Sequence, residues 1–224
     1  MIQITRTGVT FRGAPGDLRK LRSQFGEQHC ILLRGFIEPE LLCLVRRCLE
    51  RGGFQDHHDS GIAEELMAED KTLNGLLHMV TNNPKLFDLV REITGCDPIG
   101  CFGGRVYRMI PGGSHYDTWH SDVGDNRLIT LSLNLSAEVY SGGVLQIRDV
   151  ESGRIVHEVA NTGLGDAILF RISPKFCHRV SALEGKAAKT AFAGWFKSQP
   201  SYLRIFADLR GEAAEDQSLA MPQE

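Results

Sequence analysis

Several features are missing from this sequence, and each absence removes a class of function. No uncharged apolar run is long enough to cross a bilayer. The amino terminus, MIQITRTGVTFRG, has no basic segment followed by an apolar core and a small-residue cleavage site, so the expected location is cytoplasmic. Basic residues are not in excess: 25 Lys and Arg stand against 28 Asp and Glu, a formal net charge of −3. Phosphate backbones call for a basic face, so neither nucleic acid nor a membrane is an expected partner. The six cysteines, Cys30, Cys43, Cys48, Cys96, Cys101 and Cys177, contain no CxxC pair. In a reducing compartment they are expected to stay thiols, with no disulfide and no structural zinc. There is no phosphate loop either: Gly142-Gly143 reads as a turn before a strand, without GxGxxG or Walker spacing.

What is present is an ordinary globular composition of 224 residues, 42% hydrophobic and 24% charged. That length suits one domain over 1–224 with a proper core, and is short for two with separate functions. Residues 1–98 read as a mainly helical N-terminal support. Pro39 opens a segment in which Leu41, Leu42, Val45 and Leu49 fall at helical spacing, stopped by Gly52-Gly53. Leu66, Leu73, Leu76, Leu77 and Val80 form a second stripe. Asn83 and Pro84 start a third, through Leu86, Leu89, Val90 and Ile93 to Gly95. Between the first two, RGGFQDHHDSG reads as a polar loop, so His57, His58 and Asp59 read as solvated loop residues rather than a metal cluster.

From residue 99 to 199 the period changes to alternation, with β-branched and aromatic residues in short runs between glycine-rich turns. Seven or eight such strands suggest a sandwich or jelly roll. The tail 207–224 is acidic and poor in apolar residues, and reads as frayed.

DTWHSDV sets His120 and Asp122 two apart in an expected strand, so both side chains project from one face. His178 follows 58 positions after His120, at the start of a strand that a jelly roll can return beside the first. Two imidazoles and one carboxylate occupy one face of an octahedral ion and leave three positions open, the donor set associated with iron(II) oxygenases. An HxD pair alone arises by chance in many proteins, so its surroundings matter. Lys189, Ala191, Ala193 and Trp195 share one face of an alternating strand. A lysine there is costly to bury unpaired and should meet an anion, of which a dicarboxylate is one kind. In RLITLSLNLS, Thr130, Ser132, Asn134 and Ser136 form a polar face that suits either a wet cofactor pocket or solvent. His115 reads as either a neighbour of the metal motif or a turn histidine, and Cys177 as a packed thiol.

Six pieces in order, PGGSHYDTWHSD, RLITLSLNLS, SGGVLQIRD, GDAILFR, CHRV and GKAAKTAFAGWF, make residues 100–199 resemble the prolyl-hydroxylase-like 2-oxoglutarate and iron(II)-dependent dioxygenases. The resemblance covers somewhat under half the chain, and the N-terminal part matches only loosely. It implies a mainly β fold with N-terminal helices, a double-stranded β-helix (jelly roll, cupin-like), and an enzyme using Fe(II), 2-oxoglutarate and O2. In that family the HxD pair and a distal histidine bind iron, and a basic residue ten or so further on binds the far carboxylate of 2-oxoglutarate. These positions here are His120, Asp122, His178 and Lys189. The family usually adds a tyrosine hydroxyl from the strand that here reads RLITLSLNLS. This sequence departs from that pattern and offers Asn134, with Tyr116, four before His120, as a second donor to the cosubstrate. Arg108 is the candidate for an acidic group on the substrate, and Trp195 for the pocket wall. Related halogenating enzymes have a small residue in place of the carboxylate, whereas HSD is intact here, so hydroxylation of an unactivated C–H bond is expected.

No recognition module accompanies the domain, which favours a small-molecule substrate, an amino acid or biosynthetic intermediate. A peptide or protein side chain is the alternative. Two rivals belong to other classes: a cupin-like metal-binding jelly roll without oxygenase activity, and a metal-free β-sandwich in which His120 and His178 are unrelated.

Overall fold

Helices form where apolar residues recur every three or four positions and a stop follows. They are α1 (Pro15–Gln28), α2 (Pro39–Arg51), α3 (Lys71–Thr81) and α4 (Pro84–Thr94). The Asp70 carboxylate caps α3 by accepting the amides of Thr72 and Leu73 at 2.8 and 3.0 Å, while Gly95 ends α4 in the left-handed region at φ 69°. The computed structural model describes residues 1–200, apart from 60, 113 and 114, together with 219–220. The expected frayed tail 207–224 thus lies outside the described residues, except for 219–220. No helix among the described residues is long and apolar enough to cross a membrane.

Five strands interleave with these helices: β1 (Ile2–Thr5), β2 (Gly8–Phe11), β3 (Cys30–Leu33), β4 (Phe54–Asp59) and β5 (Ala63–Ala68). This corrects two expectations. The segment read as a polar loop is mostly β4, an edge strand in which Gln55, Asp56 and His58 are exposed on both faces, which hides the alternation. The stripe read from Leu66 to Val80 is two elements, because Leu66 is held in β5 by pairing with the main sheet and α3 starts only at the Asp70 cap.

The second half is almost all strand: β6 (Cys101–Met109), β7 (Tyr116–Asp117), β8 (His120–Ser121), β9 (Arg127–Asn134), β10 (Ser141–Gly142), β11 (Leu145–Asp149), β12 (Ile155–Val159), β13 (Ala167–Arg171), β14 (Phe176–Val180), β15 (Leu183–Glu184), β16 (Lys189–Lys197) and β17 (Leu219–Ala220). An eight-stranded antiparallel sheet runs β3-β13-β9-β16-β6-β5-β4, with β7 on β5, and a five-stranded one runs β12-β11-β14-β8-β17. These curled sheets form the expected double-stranded β-helix. One buried cluster joins Leu73 and Leu77 of α3 and Leu86, Val90 and Ile93 of α4 to Val106, Leu131, Leu133, Phe192 and Phe196 of the large sheet. A smaller one, Cys30, Leu145, Ile147, Ile168 and Phe170, closes the space between the sheets at one end. The cavity adjoins it, since Leu145, Ile168 and Phe170 also line the cavity wall.

Candidate metal centre and its cavity

His120 opens β8 and is the direct cross-strand partner of His178 in β14. Their rings lie 4.3 Å apart between centroids, and Asp122 follows one residue beyond β8. His178 Nε2 is 3.4 Å from Asp122 Oδ2, His120 Nε2 is 3.9 Å from Oδ1, and the three ligating atoms all fall within 4.8 Å of one another. Ligands about 2.1 Å from an octahedral ion lie about 3 Å apart at right angles, so closure on a metal needs movements of about an ångström. The other half of each group is tied down. His120 Nδ1 is 2.8 Å from the Thr118 carbonyl and 3.3 Å from Asp117 Oδ1, which leaves Nε2 toward the centre. Thr130 donates to Asp122 Oδ2 at 3.1 Å, and Arg127, stacked on Trp195 at 3.8 Å, sits 3.6 Å from Oδ1.

The electrostatics separate the two histidines. Burial pulls both down, but around His120 the hydrogen bond and charge of Asp117, the charge of Asp122 and the Thr118 carbonyl prevail and raise its pKa to about 9. His178 is lowered to about 4 by burial and then by its cationic neighbour. Burial pushes Asp122 up, yet His178, His120, the Trp195 N–H and Arg127 outweigh it and hold the carboxyl below its ordinary value. To hold a metal, His120 would have to give up its Nε2 proton, while the surroundings of His178 and Asp122 favour the neutral imidazole and the carboxylate that would ligate it.

The triad opens into a cavity of about 130 Å³ also lined by Lys189, Asn134 and Trp195. Lys189 is 6% exposed, and its ammonium donates to the Gly143 carbonyl at 3.1 Å. Burial lowers its pKa to about 8 against the pull of Asp117 and Glu65. Gly143, at φ 59°, makes room for this side chain, since a Cβ there would stand 3.2 Å from Lys189 Cδ. Asn134 spends its amide on the backbone, donating to Gly163 O and accepting from Ser136 N, each at 3.0 Å.

Two candidates are not brought into the cavity. Tyr116 faces away because β7 alternates, and it is Asp117 that lines the wall, its Oδ2 accepting the Val180 amide at 2.6 Å. Arg108 lies on the opposite face of β6 from Arg105 and Tyr107. Its guanidinium sits 3.9 Å from the Phe54 ring centre and it lines a separate groove with Arg46 and Glu50. Sequence reasoning missed Asp117, Tyr107, Tyr140, Glu65, Arg105 and Asp59, all cavity residues. Only Asp117 offered a local signal, three before His120. His115 accepts the Ile110 amide at 3.0 Å as a turn histidine, and Cys177 packs against Arg148.

A double-stranded β-helix with a His-Asp-His cluster in its cavity defines a class of mononuclear metal enzymes, and the donor chemistry fits iron(II). Residues 104–197, the strands around that cavity, match the family model of the 2OG-Fe(II) oxygenase superfamily. That match covers 94 of the 224 residues, and the His-Asp-His donor set fits the iron(II), 2-oxoglutarate and O2 that such oxygenases use. No curated protein sequence matches this chain. Solved structures are similar in fold. A Pseudomonas putida prolyl-4-hydroxylase is 15% identical, with 82% of this chain and 100% of that chain covered at a TM-score of 0.59. A Trichoplax adhaerens prolyl hydroxylase in complex with a hypoxia inducible factor peptide fragment is 15% identical, with 83% and 94% covered at 0.58. The epimerase SnoN in complex with Fe3+, alpha ketoglutarate and nogalamycin RO is 13% identical, with 94% and 97% covered at 0.60.

Proposed function

We propose that this protein hydroxylates an unactivated C–H bond of a small molecule, an amino acid or biosynthetic intermediate, in the cytoplasm. His120, Asp122 and His178 hold the iron, and Lys189 takes the far carboxylate of 2-oxoglutarate with Asn134 on the adjoining wall. The observation that carries this reading is that the triad and a buried lysine bonded to a single backbone carbonyl share one cavity. Such an ammonium is stabilised by a carboxylate placed against it. When bound, iron(II) and 2-oxoglutarate supply the oxidising chemistry, in which the keto acid is decarboxylated to succinate and one oxygen atom enters the substrate.

The chain's own residues position and enclose. Thr130 and Arg127 fix the Asp122 carboxylate, while the Thr118 carbonyl and Asp117 fix the His120 ring. Phe170, packed 4.7 Å from the His178 ring, and Trp195 help keep water from the reacting groups. Anaerobic addition of iron(II) and then 2-oxoglutarate should give a weak visible charge-transfer band. A jelly roll without oxygenase activity, or a metal-free sandwich, would show none. Substrate-stimulated succinate formation across amino acids, peptides and metabolite extracts then chooses the substrate. The second reading, a peptidyl or protein side-chain hydroxylase, is favoured by the likeness to the two prolyl hydroxylase structures. It predicts stimulation by peptides and none by free metabolites.

A further inference from the structure

The cavity wall built by β4, β5 and β6 carries charged groups besides the triad and Lys189. Glu65 is 7% exposed, and both contacts from Arg105, through Nε and Nη2, fall on its Oε1 at 3.2 Å. Among the described residues, Glu65 Oε2 and the Asp59 carboxylate accept no side-chain or backbone hydrogen bond. Yet both residues line the cavity.

Charge counting gives the same direction. The lining holds four carboxylates, Asp59, Glu65, Asp117 and Asp122, against two cations, Arg105 and Lys189. Arg127 stands behind Asp122 and offsets one further charge. Divalent iron and dianionic 2-oxoglutarate cancel each other, so loading the site leaves the negative excess of the lining in place. A substrate carrying a carboxylate or phosphate would add to that excess in surroundings of low dielectric, whereas a cation relieves it. Burial raises the Glu65 carboxyl above its ordinary value, Asp117 and Asp59 push the same way, and Arg105 opposes them. A carboxylate in that position gains from a positive charge placed against it.

We propose that the prime substrate carries a protonated primary or secondary amine, which docks on Glu65 Oε2 and Asp59 while Arg105 holds Glu65 by Oε1. This rests on the oxygenase reading above and narrows it to amine-bearing substrates. The placement suits oxidation at a carbon away from the nitrogen. Ala63 of β5 pairs directly with Asp117 of β7, whose Oδ1 lies 3.3 Å from His120 Nδ1, so the anchoring wall reaches the metal ligands through a single residue. An ammonium docked on that wall shares the cavity with the metal centre, so its carbon chain can reach the reacting site.

The test uses protein loaded anaerobically with iron(II) and 2-oxoglutarate. Three ring-sized probes, piperidine as its cation, neutral N-acetylpiperidine and anionic cyclohexanecarboxylate, are titrated and followed by ligand-observed NMR. The cation should bind about tenfold or more tightly than either other probe, as a charge-assisted contact implies. Glu65→Gln should abolish most of this preference and Asp59→Asn part of it, with the visible band of the keto-acid complex unchanged. Equal binding of the three probes, or tighter binding of the carboxylate, overturns the proposal while the band leaves the oxygenase reading standing. Absence of the band in wild-type protein overturns both. Should Glu65→Gln fail to fold, the order of the probes on wild-type protein and the Asp59→Asn result decide the matter.

Discussion

The large sheet presents two faces built from alternate residues of the same strands, and they are chemically opposite. Along β9, Ile129, Leu131 and Leu133 join the helix-packed core, whereas Thr130, Ser132 and Asn134 line the cavity. Along β16, Phe192 and Phe196 face the helices, whereas Lys189, Ala191, Ala193 and Trp195 face the metal centre. One face gains free energy from burial of apolar surface, roughly 1.5–3 kcal/mol for each large side chain. The other buries a lysine, carboxylates and two imidazoles, and each is a cost until its ligand arrives. The period-two pleat therefore separates a stabilising surface from a functional one by a single peptide unit.

The sharpest break of this comparison is His178→Ala. It removes a ligand from the cavity face and should drop coupled succinate formation to background while the fold survives. Wild-type turnover at limiting iron would remove His178 from the site. Its counterpart on the core face is Phe192→Ala, which should cost about 3–5 kcal/mol of stability by emptying a fully buried position, read by urea unfolding. Weakened cosubstrate binding beyond what the fraction unfolded explains would show that the two faces are not separable.

Lys189→Met should move the two readouts in opposite directions. Affinity for 2-oxoglutarate should fall roughly tenfold or more with the loss of a charge-assisted contact. Stability of the ligand-free protein should rise. Burial holds the lysine at about 8 against an ordinary 10.5, so between those values the unfolded chain binds a proton that the folded chain has released. Wild-type stability at this site thus rises with pH through about 8–10.5, and the penalty is complete below 8. The methionine variant should accordingly be more stable at pH 7 by up to about 3 kcal/mol, with the gap closing near pH 10.5. A less stable variant at pH 7 would mean that the Gly143 contact already compensates the charge.

The helix-packed face and the strand-rich second half were legible in the sequence because apolar periodicity records burial directly. The clustering of His120, Asp122, His178 and Lys189 was also within reach, since donor type and spacing are chemical signals. The edge strand β4 was hidden by polar residues exposed on both faces, and β5 by a leucine that happens to continue the stripe of α3. Most obscure was the facing of β6. Gly103 and Arg105 alternate with Gly104 and Val106, so neither face is clearly apolar, and only pairing with β16 decides which arginine enters the cavity. In β7, neighbouring Tyr116 and Asp117 posed the same ambiguity.

That ambiguity frames the smallest expected effect, Arg108→Ala. The side chain lies over the Phe54 ring and donates from Nε to Thr190 Oγ1 at 3.0 Å, outside the cavity. Its removal should cost about 1–2 kcal/mol of stability, the sum of a partly exposed cation–π contact and one hydrogen bond from a half-exposed guanidinium to a hydroxyl. Cosubstrate affinity and the KM of any substrate found should stay within about twofold, because the guanidinium is on the helix side of the pleat. Arg105→Ala, only three residues away, should change substrate affinity, since it leaves Glu65 buried without its cation. A larger substrate effect from Arg108 than from Arg105 would reverse the facing of β6 and, with it, the division between the two faces of the sheet.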